Sequence, residues 1–215
     1  MERQGNRRTV RMVIAAGAVI GIVTGLLYAG IRDWSTDDDT GTGTDSHAAM
    51  SSPGQERGEL AQALAKARRA TLKYATDLRT AQADGYKVIT PMMADMGVHY
   101  LNPDVKGFDV ERPPILVYVG TADAVQLAAL EWVFPETPGS PPLPGATYGT
   151  FDAACHYSDG EFVVGDESSC GPTHPTTHAP FFFWHPRLVT LHVWLWYPNP
   201  DGIYHPTNPF ITPYS

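Results

Sequence analysis

The chain has 215 residues, 15 basic and 23 acidic, for a formal net charge of −8, and 43% of it is hydrophobic. That mass suits one folded domain with its own core plus a tail. Residues 1–34 carry five basic and two acidic side chains, which leaves a net charge of −11 on the remainder, and past Arg112 the only Lys or Arg is Arg187. An acidic body of this kind repels phosphate backbones, so nucleic acid is excluded as an expected partner.

Residues 1–11 form a basic tail with Arg7, Arg8 and Arg11, and residues 12–31 form an uncharged, Pro-free run rich in Val, Ile, Ala, Leu and Gly. Twenty residues rising about 1.5 Å each make a helix of roughly 30 Å, the thickness of a bilayer's hydrocarbon core. Basic residues before the run, and Asp33, Asp37, Asp38 and Asp39 after it, orient the N-terminus to the cytoplasm and the body outside. The expectation is a retained single-pass signal-anchor in the cell membrane. The alternative is a cleaved signal peptide and a secreted body, which the Arg7-Arg8 pair recommends. The run is long for a signal-peptide core, and Leu27-Tyr28-Ala29 makes a poor cleavage site, so the anchor is preferred.

Residues 32–55 read as a disordered linker of Asp, Thr, Gly and Ser with too few bulky apolar groups to offset the entropy of ordering. The exported globular domain is then residues 56–215. It opens on a predicted helix over 56–83. There Leu60, Leu64, Ala67, Thr71, Tyr74, Leu78 and Ala81 recur at spacings of three and four and form one apolar stripe. Asp84-Gly85 is its stop signal.

Beyond Gly85, prolines and glycines punctuate short β-prone runs at 115–119, 125–134, 146–151, 161–164 and 188–197. Gly120 to Ala124 is a hairpin loop between the first two. The expected class is α+β, with the long N-terminal helix packed on a twisted antiparallel sheet and preceded by a transmembrane helix. A small β-barrel with one helix is the alternative.

Cys155 and Cys170 are the only cysteines, 14 residues lie between them, and an even pair in an exported chain reads as a disulfide. The competing reading makes Cys155, beside His156, a metal ligand or reactive thiol.

Six of the eight histidines fall within residues 156–205. His192 is embedded in a strand-like run whose alternation places Leu191, Val193 and Leu195 on one face and Thr190, His192, Trp194 and Trp196 on the other. Glu131 is the only charge in the 125–134 run, on a face with Val125, Leu127, Ala129 and Val133 if the strand is regular. A carboxylate there costs several kcal/mol unless it is paired or holds a cation. Arg112 and Arg187 are the ion-pair candidates. His99 follows Gly97, which permits close backbone approach, and Met92, Met93 and Met96 lie just upstream, where thioethers would suit Cu(I). In a core, the same methionines simply pack.

His99, Glu131 and His192 therefore make a candidate two-His-one-carboxylate set, with His185 as a fourth ligand if the chain bends at Pro186. Three such ligands leave positions open on a metal for water or substrate. His174 and His178 read as surface groups or an accessory site, and His47 and His205 as solvated or structural. No Gly-x-Ser-x-Gly elbow, phosphate loop or dinucleotide fingerprint is present.

Several segments together resemble a group of exported, uncharacterised bacterial proteins. They are the Ala-x-Ala-Asp-Gly-Tyr stretch ending the helix, Met96-Gly-Val-His-Tyr-Leu-Asn-Pro103, the Leu-Val-Tyr and Leu-Glu-Trp runs, Leu191-His-Val-Trp-Leu-Trp, Asn199-Pro-Asp-Gly and Asn208-Pro209. The resemblance covers residues 65–211 and implies a shared site at the Met-Gly-x-His, x-Glu-aromatic and Leu-His-x-Trp positions. The Cys155–Cys170 region departs from that pattern.

The leading expectation is an exported, membrane-anchored domain with a mononuclear site for Zn, Fe or Cu. In the runner-up, a non-enzymatic envelope protein presents Trp132, Trp184, Trp194 and Trp196 to a protein or glycan partner, with the histidines in its core or acting as pH-sensitive groups.

Overall fold

The computed structural model describes residues 52–121 and 124–214. The expected anchor at residues 12–31, most of the linker and His47 lie outside the described residues. Among the described residues, no helix is long and apolar enough to cross a membrane.

Helix α1 (Pro53–Thr71) starts three residues before the expected start at residue 56, because Ser52 caps it: the Ser52 hydroxyl accepts from the Gln55 N–H, and Pro53 supplies a pre-set first turn. The stripe buries as read, with Leu60, Leu64, Ala67, Tyr74, Leu78 and Ala81 all in one core. The single helix to residue 83 is corrected. The chain tightens into a 3-10 turn at Leu72–Tyr74 and resumes as α2 (Leu78–Ala83), capped by Asp77. The break frees two carbonyls for the sheet: Tyr74 accepts from the Tyr118 hydroxyl at 2.8 Å and Ala75 from the Leu127 N–H at 2.9 Å.

Among the described residues nine strands follow: β1 (Lys87–Val88), β2 (Val98–Leu101), β3 (Ile115–Thr121), β4 (Ala124–Phe134), β5 (Gly149–Phe151), β6 (Ala154–Tyr157), β7 (Phe162–Val164), β8 (Phe181–His185) and β9 (Leu188–Val193). Six form an antiparallel sheet in the order β1-β2-β3-β4-β9-β5, and three form a second in the order β7-β6-β8. The expected α+β class with an antiparallel sheet is observed, and the second sheet is an addition to it.

The large sheet buries both faces. Leu116, Tyr118, Leu127, Leu130, Trp132, Leu191 and Val193 pack with α1 and α2. Ile115, Val117, Ala129 and Trp194 form the opposite core, with Phe182 and Phe183 of the small sheet against it. A β-bulge decides which β4 side chain faces which core. Val117 pairs with Ala129 but Tyr118 with Leu127, so Ala128 is the extra residue. Val125 and Leu127 therefore face the helices, while Ala129, Glu131 and Val133 face the other way. This corrects the regular alternation, which put all five on one face. The bulged backbone is satisfied from outside the β3 ladder: Leu127 donates to Ala75, and the Ala128 carbonyl accepts from Trp196 and Tyr197.

The last strand is corrected as well: it ends at Val193 rather than at residue 197. Beyond it Trp196 turns to the helix side, where its indole donates to Thr71 and lies under the Arg68 guanidinium. Trp132 and Trp194 are buried, so they present nothing to a partner.

Cys155 on β6 and Cys170 form a disulfide that ties the small sheet to the loop after β7. Closing a loop of this length is worth about 3 kcal/mol in the chain-entropy picture. Replacing both cysteines with Ala should lower the denaturation free energy by about that amount. A loss below about 1 kcal/mol in guanidinium titrations would show that the β6–β7 turn holds the loop without the bond.

Candidate metal centre

Strand pairing carries the three predicted ligands to one place. Ile115 of β3 pairs with Glu131 of β4, and Glu131 pairs with His192 of β9. One row away on the same face, Val117 pairs with both His99 and Ala129. Residues two apart on a strand share a face, so all three side chains rise from the large sheet towards the small one. His99 reaches over β3 to meet the carboxylate.

The result is one buried cluster. His99, Glu131 and His192 are each no more than 4% exposed, and one ligand atom from each lies within 4.8 Å of the others. The carboxylate lies between the rings, with Oε2 3.5 Å from His99 Nε2 and Oε1 3.5 Å from His192 Nε2. The rings meet edge to face, with centroids 5.8 Å apart. Arg187, one of the ion-pair candidates for Glu131, lies instead beside Asp152, with both side chains exposed.

The spacing matters. A hydrogen bond would draw these atoms to about 2.7–3.2 Å. Two ligands at about 2.0–2.1 Å from a tetrahedral ion lie about 3.4 Å apart. Both contacts fall at the second distance.

Hydrogen bonding agrees. His192 is 2% exposed, yet neither of its ring nitrogens has a hydrogen-bond partner. An imidazole left so costs about 1–3 kcal/mol, and an ion at Nε2 would remove part of that penalty. His99 is set by Thr90, whose hydroxyl oxygen accepts from the His99 backbone N–H at 3.0 Å and lies 3.0 Å from Nδ1. With the proton on Nδ1 donated to Thr90, Nε2 turns its lone pair to Glu131, the arrangement a metal-bound imidazole requires. Thr90 carries no sequence signal of its own, and only the β1–β2 connection brings it there.

Burial shapes the charges. It pushes the Glu131 carboxyl up to about 8. It lowers His192 to about 4 and His99 to about 3, the latter helped by the nearby His192 and His156. Near neutral pH the metal-free cluster is therefore uncharged, and a bound cation must displace the carboxyl proton.

Gly97 supports the site through the backbone. Its φ is +94°, and an added Cβ would sit 2.6 Å from the Tyr118 carbonyl oxygen. Gly97→Ala must shift β2 away from β3 and carry His99 with it. Metal affinity at the cluster should fall about tenfold or more. Unchanged affinity in a folded variant would show that His99 is positioned by Thr90 alone.

The remaining histidines lie elsewhere. His185, expected as a fourth ligand, belongs to the small sheet, and its Nε2 faces His156 Nε2 at 3.0 Å. The bend at Pro186 does not turn it to the cluster, because β8 pairs with β6 and not with the sheet of His192. His174 is buried, its Nδ1 accepting from the Thr176 and Thr177 N–H groups as a loop brace. His205 braces the C-terminal loop instead, with Nδ1 2.8 Å from the Thr207 carbonyl oxygen. Comparison with protein-family models, curated proteins and solved structures finds no match for the chain.

Proposed function

We propose that this chain is an exported, membrane-anchored metalloprotein whose folded domain holds one divalent transition-metal ion on His99, Glu131 and His192. The observation that carries this reading is His192, a fully buried imidazole without a hydrogen-bond partner, 3.5 Å from a buried carboxylate. Two neutral imidazoles and one carboxylate suit Zn, Fe or Cu, and leave one position of a tetrahedral ion for water. The bound ion would supply Lewis acidity or an activated water. Burial of all three side chains restricts such a centre to small ligands. The anchor and its orientation rest on the apolar run at residues 12–31 and its flanking charges.

Metal analysis of the purified full chain tests the site. The wild type should carry one equivalent more than His192→Phe, a variant that keeps a flat ring in the same space. Equal metal content in the two, or a melting temperature unmoved by Zn, Fe or Cu in both, would overturn it. Mature protein beginning near residue 30 would overturn the anchor while leaving the metal site untouched.

A further inference from the structure

His156 and His185 form a second buried histidine pair, at 1% and 9% exposure, separate from the cluster above. They belong to β6 and β8, where His156 pairs with Phe183 and Ala154 with His185, so both rings project from one face of the small sheet. Phe151, Phe162 and Phe183 surround them, with the Phe183 ring stacked on His156 at 4.6 Å and the Phe151 ring stacked on His185 at 5.4 Å.

Their tautomers follow from their partners. His156 Nδ1 lies 2.6 Å from the Ile89 carbonyl oxygen, and His185 Nδ1 lies 2.7 Å from the Pro186 carbonyl oxygen. A carbonyl only accepts, so each Nδ1 carries the proton and donates it. Both Nε2 atoms of the neutral rings then hold lone pairs, and they point at one another across 3.0 Å. Two opposed lone pairs at that distance repel, and only a positive particle between them makes the contact favourable.

A proton is one such particle, and it would leave one shared imidazolium stacked on Phe183 or Phe151. A metal ion takes both rings as they stand, neutral and with Nδ1–H donated to backbone carbonyls, the usual outer support of a ligating histidine. It also brings its own water or hydroxide to complete its shell. The distance selects a geometry. Adjacent ligands at 90° and about 2.1 Å from an ion lie about 3.0 Å apart, whereas tetrahedral ones lie about 3.4 Å apart.

We propose that His156 and His185 are a second metal site, in which two cis imidazole Nε2 atoms hold a tetragonal divalent ion of the Cu(II) type. It is distinct from the His99–Glu131–His192 site and is built on two backbone carbonyls. Ile89 joins the two: its N–H donates to the His99 carbonyl at 2.9 Å and its own carbonyl fixes His156. Neither site needs the other to be occupied.

Cu(II) titration of the metal-free full chain, read by electron paramagnetic resonance and by stoichiometry, tests the proposal. His192→Phe, with the first site disabled, should still take one tight equivalent showing two coupled imidazole nitrogens. His192→Phe/His185→Phe, in which Phe continues the stack on Phe151, should lose that equivalent while keeping the far-ultraviolet circular dichroism of the parent. Equal Cu(II) binding by these two variants would overturn the site. So would a metal-free wild type that takes no Cu(II) at His156 and shows a shared, strongly deshielded imidazole proton at neutral pH, which would make the pair a proton-sharing one. Should the double variant not fold, the wild type decides, because imidazole proton resonances report whether Cu(II) broadens His156 and His185. Failure of the first site leaves these readouts intact, since the two variants lack His192 and the wild-type resonances are those of His156 and His185 themselves.

Discussion

Replacing Glu131 with Leu should abolish metal binding at the three-residue cluster and make the metal-free chain more stable than the metal-free wild type. Two physical terms with opposite signs lie behind this. In the absence of an ion the carboxyl is 4% exposed between two uncharged imidazoles at 3.5 Å, too far for good hydrogen bonds. Its buried, poorly satisfied polar atoms cost stability, and an apolar side chain of similar volume does not. Exchanges of buried ionic groups for well-packed apolar ones gain about 1–4 kcal/mol where they gain at all. Neighbouring Ile115, Val117 and Ala129 already offer an apolar wall.

Saturating metal reverses the order, because only the wild type gains binding free energy, about 4 kcal/mol when the free ion is a thousandfold above its dissociation constant. The measurement is a guanidinium titration of both proteins with chelator and with Zn(II). A Leu variant less stable than the wild type in chelator would mean that the carboxyl is a structural hydrogen-bonding group. His192→Ala, by contrast, should destabilise the metal-free chain, since it opens a cavity beside the stacked Trp194 ring.

The stability of the metal-free chain should peak near pH 7 and fall on both sides. On the acid side the relevant groups are His99 and His192, held at about 3 and about 4 by burial, with His156 also at about 4. Their unfolded values are near 6.5, so as pH falls from there the unfolded chain takes up protons that the folded chain refuses, and stability drops until the folded values are reached. On the alkaline side the group is Glu131, raised to about 8 from 4.5. Its contribution is complete below pH 4.5 and is lost as pH rises through that value towards 8, because the unfolded carboxylate ionises first.

Between pH 4.5 and 6.5 the three histidines outweigh the one carboxyl. At pH 6.5 each unfolded histidine is still half protonated, so the carboxyl outweighs the three only above about pH 7, and the net loss among these groups between pH 7 and 9 should be about 1 kcal/mol. Bound metal removes the alkaline fall, since the ion holds the ionised carboxylate, and its binding at pH 7 should release about one proton. Denaturant midpoints at pH 5, 7 and 9, with chelator and with Zn(II), read the first effect. Calorimetry in buffers of different ionisation heat reads the second. A chelated chain no less stable at pH 9 than at pH 7 would show that Glu131 is ionised without a metal.

Much of this was legible in the residues. The helical stripe from Leu60 to Ala81 was visible because three-and-four spacing survives a local break: the 3-10 turn at Leu72–Tyr74 keeps Tyr74 on the buried face. His99, Glu131 and His192 stood out because ionisable side chains in apolar, β-prone runs are costly, and cost marks a site. The disulfide was legible because only one pairing exists for two cysteines.

What the sequence concealed depends on contacts between distant strands. Period-two alternation counts residues along one chain, and the extra Ala128 shifts that count by one, so Leu127 and Glu131 face opposite cores. His185 lies seven residues before His192 and looked like its neighbour, yet β8 pairs with β6, and that pairing places it 3.0 Å from His156. Short strands such as β1, β6 and β7 carry few residues of pattern and form only because partners supply their hydrogen bonds.

Residue chemistry and local spacing thus determined which side chains must be paired or bound to an ion once buried, and which cysteines join. Tertiary structure decided who meets whom. The partners of each histidine are set by strand register and by backbone carbonyls such as those of Ile89 and Pro186, and a carbonyl is present in every residue and so leaves no mark in a sequence.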